Sequence, residues 1–147
     1  MNKTPLIPCP HCDGLNRIPE GKKPEAGRCG HCKRPLFAGE PMVLNTARFA
    51  VHAGAADLPL VVDFWAPWCG PCRAMAPAFA AAAASFEPRV RLAKVNTDEE
   101  QALAGRYDIR SIPTMIVFRG GKELARVSGA LPPSDMTRWI EAQLSAA

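Results

Sequence analysis

All six cysteines of the 147-residue chain fall in three Cys-x-x-Cys pairs: Cys9/Cys12, Cys29/Cys32 and Cys69/Cys72. A pair at that spacing either holds a metal or forms a redox disulfide, so the pairs constrain the fold more than any other feature. Their surroundings separate them into four plus two.

The first four lie in a segment that cannot fold on apolar burial alone. Residues 1–41 hold seven of the 15 prolines but only nine apolar residues besides cysteine. That inventory is too small to offset the entropy of ordering the segment, and a metal supplies the difference. Sixteen residues separate Cys12 from Cys29, inside the ~15–20-residue gap of two-knuckle zinc sites. Two residues between cysteines let both thiolates of a knuckle face one ion, and four thiolates close a tetrahedron. Cys9, Cys12, Cys29 and Cys32 are therefore expected to hold one structural Zn²⁺. His11 and His31 each adjoin a ligand, and with four cysteines available both are expected to be bystanders. Four protein ligands leave no open coordination position, so the site reads as structural and not catalytic.

Two structural disulfides are the competing reading, and they belong to oxidising compartments. The stretch Met1-Asn2-Lys3-Thr4-Pro5-Leu6-Ile7-Pro8-Cys9 has no apolar run of the ~7–15 residues a secretory leader needs. No run approaches the ~18 apolar residues of a membrane span. The expected location is the cytoplasm, where thiols stay reduced. The segment carries seven basic and four acidic side chains. A zinc tetrathiolate adds about −2, leaving roughly +1. That is a poor nucleic-acid footprint, so no nucleic-acid partner is expected, and Lys22, Lys23, Lys33 and Arg34 read as solvated surface.

From Pro41 onward the pattern changes. Apolar residues make up 48% of the whole chain and charged residues 22%, a globular balance. Met42–Leu44 reads as a short strand, and Asn45 or Thr46 can cap a brief helix through His52. His52 has no visible partner and reads as surface. Leu60–Trp65 is a nearly continuous apolar run, the mark of a buried central strand. Cys69–Phe86 is alanine-rich and helical, with Pro77 inside it. Arg91–Asn96 alternates as a strand, and Thr97 or Asp98 can cap a helix to Tyr107. Thr114–Phe118 is a second apolar strand, and Arg119-Gly120-Gly121-Lys122 is a hairpin turn into Glu123–Ser128. A last helix runs from near Ser134 to about Leu144. The order β-α-β-α-β-α-β-β-α predicts an α/β domain over 41–147, its sheet mostly parallel and ending in an antiparallel hairpin. Residues 1–40 precede it as a small zinc-ribbon-like module.

Cys69-Gly70-Pro71-Cys72 follows a buried strand and opens a helix, which makes it a redox pair and not a third knuckle. Positions three apart on a helix share a face, so the two sulfurs can bond. Cys69 falls at the helix N-terminus, where partial positive charge favours thiolate, and thiolate is the nucleophile in exchange. Cys72, one turn in, is expected to be shielded and to act second. Pro71 suits the first turn.

The run Val62-Asp63-Phe64-Trp65-Ala66-Pro67-Trp68-Cys69-Gly70-Pro71-Cys72 resembles the active-site signature of thioredoxins. Lys94-Val95-Asn96-Thr97-Asp98, Ser111-Ile112-Pro113-Thr114 and Ser128-Gly129-Ala130 follow in the family's order. The two knuckles are similar to the extension found in the zinc-containing bacterial thioredoxins, the thioredoxin 2 group. The resemblance implies a thioredoxin fold, a central mixed sheet flanked by helices, and a protein-disulfide reductase. It implies that Cys69 attacks a substrate disulfide and Cys72 resolves the mixed disulfide. Asp63 becomes the buried carboxylate that exchanges a proton with Cys72, its pKa raised by burial. Lys94 becomes the lysine near it. Trp68, Gly70, Pro71, Ile112, a cis Pro113 and Gly129 become the substrate-docking surface. Thioredoxin reductase would supply electrons from NADPH, disulfide-containing proteins would receive them, no organic cofactor would be bound, and the chain would act as a monomer.

Two other readings compete. The same fold can serve as an oxidant or isomerase, but Gly-Pro between the cysteines resembles the reducing end of the range, near −270 mV against about −120 mV for the strongest oxidant. A zinc-module adaptor on a retired scaffold is the other, and the intact Cys69/Cys72 pair above Asp63 speaks against it. Four thiolates beside a redox enzyme are themselves oxidisable, which suggests that zinc loss tunes activity.

Overall fold

The computed structural model describes residues 4–146. Met1–Lys3, part of the stretch read for a leader and the start of the expected first module, and Ala147, the end of the second, lie outside the described residues. From Thr4 the chain forms an antiparallel hairpin of β1 (Leu6–Pro8) and β2 (Leu15–Arg17), with Ile7 opposite Asn16. The Cys9/Cys12 knuckle is the loop of this hairpin. A 3-10 turn at Pro24–Ala26 follows, and Arg28 bridges to Pro35 across the second knuckle. No strand is legible in so proline-rich a segment.

The remainder follows the expected alternation: β3 (Met42–Val43), α1 (Thr46–Ala53), β4 (Leu60–Trp65), α2 (Gly70–Phe86), β5 (Arg91–Asn96), α3 (Gln101–Arg106), β6 (Thr114–Arg119), β7 (Lys122–Ser128) and α4 (Pro133–Ala146). The five strands form one sheet in the order β3-β5-β4-β6-β7. β5 runs parallel to β3 and β4. β6 runs antiparallel to both β4 and β7. This corrects the mostly parallel sheet with one terminal hairpin: the sheet is evenly mixed. An apolar strand buried on both faces carries no mark of its neighbours' direction, so β6 reads the same either way.

β4 is the middle strand, and its side chains alternate between two cores. Leu60, Val62 and Phe64 pack with Phe49 of α1, Leu103 of α3 and Phe118 of β6. Val61 packs on the other face with Met75 and Phe79 of α2 and Met136 and Ile140 of α4. Asp63 shares the parity of Val61 and so points toward the α2 side. Gly120 and Gly121 have φ of 59° and 81°, the left-handed pair that a tight hairpin between β6 and β7 requires. α3 starts later than expected, with Glu100 at the N-cap position and no side-chain cap there. The Asn96 side-chain carbonyl accepts from the N–H groups of Asp98 and Glu99 and holds them as a turn.

Asn45 caps α1 by accepting from the Arg48 N–H at 2.8 Å. His52 on this helix is not surface: it is 2% exposed, and its Nε2 lies 2.8 Å from Asp13 Oδ1. Phe49, His52 and Ala53 form one buried stripe, and the three-residue spacing from Phe49 was the available signal. Arg48 binds the same carboxylate, with Nη2 2.7 Å from Asp13 Oδ1, and also donates to the Pro10 carbonyl at 2.7 Å. The second anchor is Arg91, 2% exposed at the start of β5. It donates to the carbonyls of Leu36 at 2.7 Å and Pro8 at 3.0 Å, and its guanidinium lies 4.6 Å from the centre of the Phe37 ring. Leu58 completes a small core with Ile7, Ile18, Leu36 and Phe37. The N-terminal segment is thus held against α1 and β5.

Candidate active site and metal centre

β4 ends at Trp65, and the turn Ala66-Pro67-Trp68 delivers Cys69 to the N-terminus of α2. Cys69 has extended backbone angles and its Sγ accepts from the Cys72 N–H at 3.2 Å, so the sulfur itself caps the helix. That bond and the helix dipole both favour negative charge on Cys69. Cys69 and Cys72 form a disulfide, with Cα atoms 5.2 Å apart. In this oxidised state both residues are buried, within a rim that is open. Trp68 is 68% exposed, and Gly70 and Pro71 are exposed. The Trp68 indole N–H donates to Asp98 Oδ2 at 2.9 Å and so is held in place. Asp98, which with Thr97 is a cap candidate from the sequence, instead engages Trp68, a contact that carries no sequence signal.

The segment before β6 forms the opposite rim. The Ile112–Pro113 peptide is cis. The Ile112 carbonyl oxygen lies 3.7 Å from Cys69 Sγ. Gly129, at φ 97°, donates its N–H to the Pro113 carbonyl at 2.8 Å. Thr114 Oγ1 donates to the Ser111 carbonyl at 2.7 Å and lies 3.0 Å from Ser128 Oγ. These bonds tie the segment to the end of β7. Trp68, Gly70, Pro71, Ile112, Pro113 and Gly129 therefore lie around one disulfide.

Asp63 is fully buried, and neither carboxylate oxygen has a hydrogen-bond partner among the described residues. Burial pushes its pKa up to about 7, against the opposing charge of Lys94. Lys94 is directly opposite it in the β4–β5 register and half-buried, with its ammonium 4.3 Å from the centre of the Trp65 ring. A carboxyl group poised near neutrality can take up or release a proton at working pH.

At the other end of the fold, the four sulfurs of Cys9, Cys12, Cys29 and Cys32 all lie within 4.8 Å of one another. Cys9 and Cys32 approach to 3.6 Å, and Cys12 and Cys29 to 3.5 Å. A tetrahedron with metal–sulfur bonds of ~2.3 Å has edges of about 3.8 Å, so the residues present fit zinc. The two knuckles repeat the same turn. Cys9 N–H donates to the Gly14 carbonyl and Asp13 N–H to Cys9; Cys29 N–H donates to Arg34 and Lys33 N–H to Cys29. The residues after each pair, Asp13 and Lys33, have φ of 66° and 69°. The His11 and His31 N–H groups each donate to a cysteine sulfur at 3.3 Å. Their rings stay outside the cluster and exposed.

The thiols also respond unequally. Burial opposes ionisation of Cys29, yet N–H groups of Cys32, Asn16 and His31 hold its pKa down to about 5. The Gly14 N–H favours the Cys12 thiolate, but desolvation and the sulfurs of Cys29, Cys32 and Cys9 outweigh it and push Cys12 up to about 12. Four sulfurs this close cannot all ionise without a cation among them.

Known proteins place this geometry in context. The thioredoxin family model matches residues 40–142. Thioredoxin C-3 of Corynebacterium nephridii is 40% identical over 139 residues, covering 95% of each chain and therefore most of the N-terminal segment. Thioredoxin of Synechocystis sp. is 45% identical over 101 residues, 69% of this chain and 94% of its own. Thioredoxin 1 of Nostoc sp. is 46% identical over 89 residues, 60% of this chain and 83% of its own. With a Cys-Gly-Pro-Cys disulfide capping the helix after a central strand, the family model matching residues 40–142, and a relative aligned across 95% of its length, the chain belongs to the thioredoxin family of thiol–disulfide oxidoreductases.

Proposed function

We propose that the chain is a protein-disulfide reductase in which Cys69 is the nucleophile and Cys72 the resolving thiol. The observation that carries the reading is the Cys69–Cys72 disulfide at the N-terminus of α2, set in an open rim with Asp63 buried on the same side of the sheet. The Cys69 thiolate attacks one sulfur of a substrate disulfide. A mixed disulfide forms, and the other substrate sulfur leaves as a thiolate. Cys72 then gives up its proton, with Asp63 as acceptor, and attacks Cys69 Sγ. The second substrate thiol leaves, and the two electrons lost by the dithiol have reduced the substrate. Lys94 tunes Asp63 by its charge. Trp68, Gly70, Pro71 and the Ile112–Pro113 and Gly129 segments form the docking surface, where the Ile112 backbone can pair with an extended substrate chain.

Thioredoxin reductase, using NADPH, is the proposed source of electrons. Residues 1–40 are the zinc module and 41–147 the thioredoxin domain. Cys9, Cys12, Cys29 and Cys32 would hold one Zn²⁺, which when bound neutralises thiolate charge and cross-links the two knuckles. Two-electron oxidation of those thiolates to disulfides by a peroxide, which is reduced to water, would release the zinc and tune activity. The protein would work as a monomer in the cytoplasm; among the described residues no helix is long and apolar enough to cross a membrane. The test is insulin reduction with NADPH and thioredoxin reductase. Cys69→Ser is expected to lose turnover entirely, and a fully active variant would refute the assignment.

A further inference from the structure

Asn16 is the middle residue of β2, and its side-chain amide touches both knuckles. Nδ2 donates to the Gly14 carbonyl at 3.1 Å and to Cys29 Sγ at 3.4 Å. Oδ1 accepts from the Gly30 N–H at 2.8 Å. Gly14 closes the first knuckle by accepting from Cys9, and Gly30 lies inside the second. The amide's orientation follows from its partners. Turned over, its oxygen would face a carbonyl and a sulfur, and its NH₂ would face an N–H donor.

The other N–H donors to Cys29 Sγ are the backbone groups of His31 and Cys32. Those come with the knuckle turn itself. Asn16 does not: it arrives from a separate element 13 residues upstream. A side chain that uses its donors and its acceptor on two metal-binding loops at once is placed to govern their spacing.

We propose that Asn16 is the positioning residue of the zinc centre, fixing the distance between the knuckles while donating to the Cys29 sulfur. The inference rests on the zinc reading given above. Partners that hold metal ligands from outside the coordination shell are worth ~10–100-fold in affinity.

The test measures Zn²⁺ affinity of the full-length reduced protein by competition with a chromophoric chelator, for the parent, Asn16→Ala and Asn16→Asp. Asn16→Asp keeps an acceptor for the Gly30 N–H but sets an anionic oxygen against the Gly14 carbonyl and the Cys29 thiolate. Asn16→Ala is expected to lose about tenfold or more, and Asn16→Asp more than that although it keeps the Gly30 bond. With Co²⁺ in place of zinc, the thiolate-to-metal charge-transfer band is expected to shift in Asn16→Ala, which carries the test alone if Asn16→Asp does not fold. Variants within twofold of the parent would overturn the proposal. So would Asn16→Asp matching the parent, or a loss of affinity with an unmoved cobalt band, since either leaves Asn16 a purely structural role. A parent protein that binds no zinc overturns the zinc reading and this inference with it.

Discussion

Burying Asp63 should cost stability in a way that depends on pH. The carboxyl has a pKa of about 7 in the fold against 3.8 as a free side chain, with burial as the main cause. Between those values the folded state holds a proton that the unfolded state has released. Stability therefore falls as pH rises from about 4 to about 7, and levels off above the folded pKa. A little over three pH units at about 1.4 kcal/mol each gives a penalty of about 4 kcal/mol at pH 8, against about 2 kcal/mol at pH 5. An amide in place of this carboxyl cannot ionise, so Asp63→Asn removes the dependence, and the amide's own burial cost is constant with pH. The assay is urea unfolding of the oxidised protein at several pH values, comparing parent and variant. The variant should gain on the parent by roughly 2–3 kcal/mol between pH 5 and pH 8. All other titrating groups are common to both proteins and cancel. A stability difference that does not change with pH would refute the assigned protonation state of Asp63.

Removing Arg91 leaves Glu87 without its buried ionic partner and the Pro8 and Leu36 carbonyls without donors. Arg91→Met should lower stability by about 3–5 kcal/mol, and a loss under about 1 kcal/mol in denaturant unfolding would contradict the anchoring role. Thiol titration of the reduced, zinc-loaded protein with a disulfide reagent should find about two reactive thiols, Cys69 directly and Cys72 as it resolves the adduct on Cys69, rising to six on unfolding with a chelator; six fast thiols in the native state would contradict it. Stripping the metal should release the N-terminal segment, because its small core lacks the area to hold itself. Trypsin should then cleave after Lys22 in the chelated protein and spare it in the loaded one, and equal cleavage in both would count against a structural metal.

How much was legible depended on whether chemistry or assembly set the residue. The redox pair and the four-cysteine cluster were readable, because spacing and neighbours dictate what such cysteines can do. β4 and β5 were readable to the residue, since an apolar run and a clear alternation end where burial ends. β6 was readable as a strand but not in direction, which depends on its partner. His52, Asp13, Arg48 and Arg91 were missed because each has meaning only across a contact between distant parts of the chain. Arg91 in particular looked like the polar start of a strand, although it is among the most buried charged groups in the fold. Asp98 was assigned to the helix following it in sequence; in space it serves an indole 30 residues away.

The clamp on the N-terminal segment has an evolutionary consequence. Arg91 and Arg48 grip the carbonyls of Pro8, Leu36 and Pro10, while Asp57 and Glu87 accept from the N–H groups of Leu6 and Gly39. On the segment's side these are all main-chain groups, and every residue type carries a carbonyl. Proline adds only a fixed φ, which presents its oxygen in a set direction. Asp13 and Phe37 are the exceptions: Asp13 contributes its carboxylate to Arg48 and His52, and Phe37 sets its ring against the Arg91 guanidinium. Drift elsewhere on the segment's surface thus leaves the attachment unaltered. Another knuckle pair of the same backbone course, with an aspartate after its first cysteine pair and an aromatic ring against Arg91, would be a working graft on the same receiving arginines.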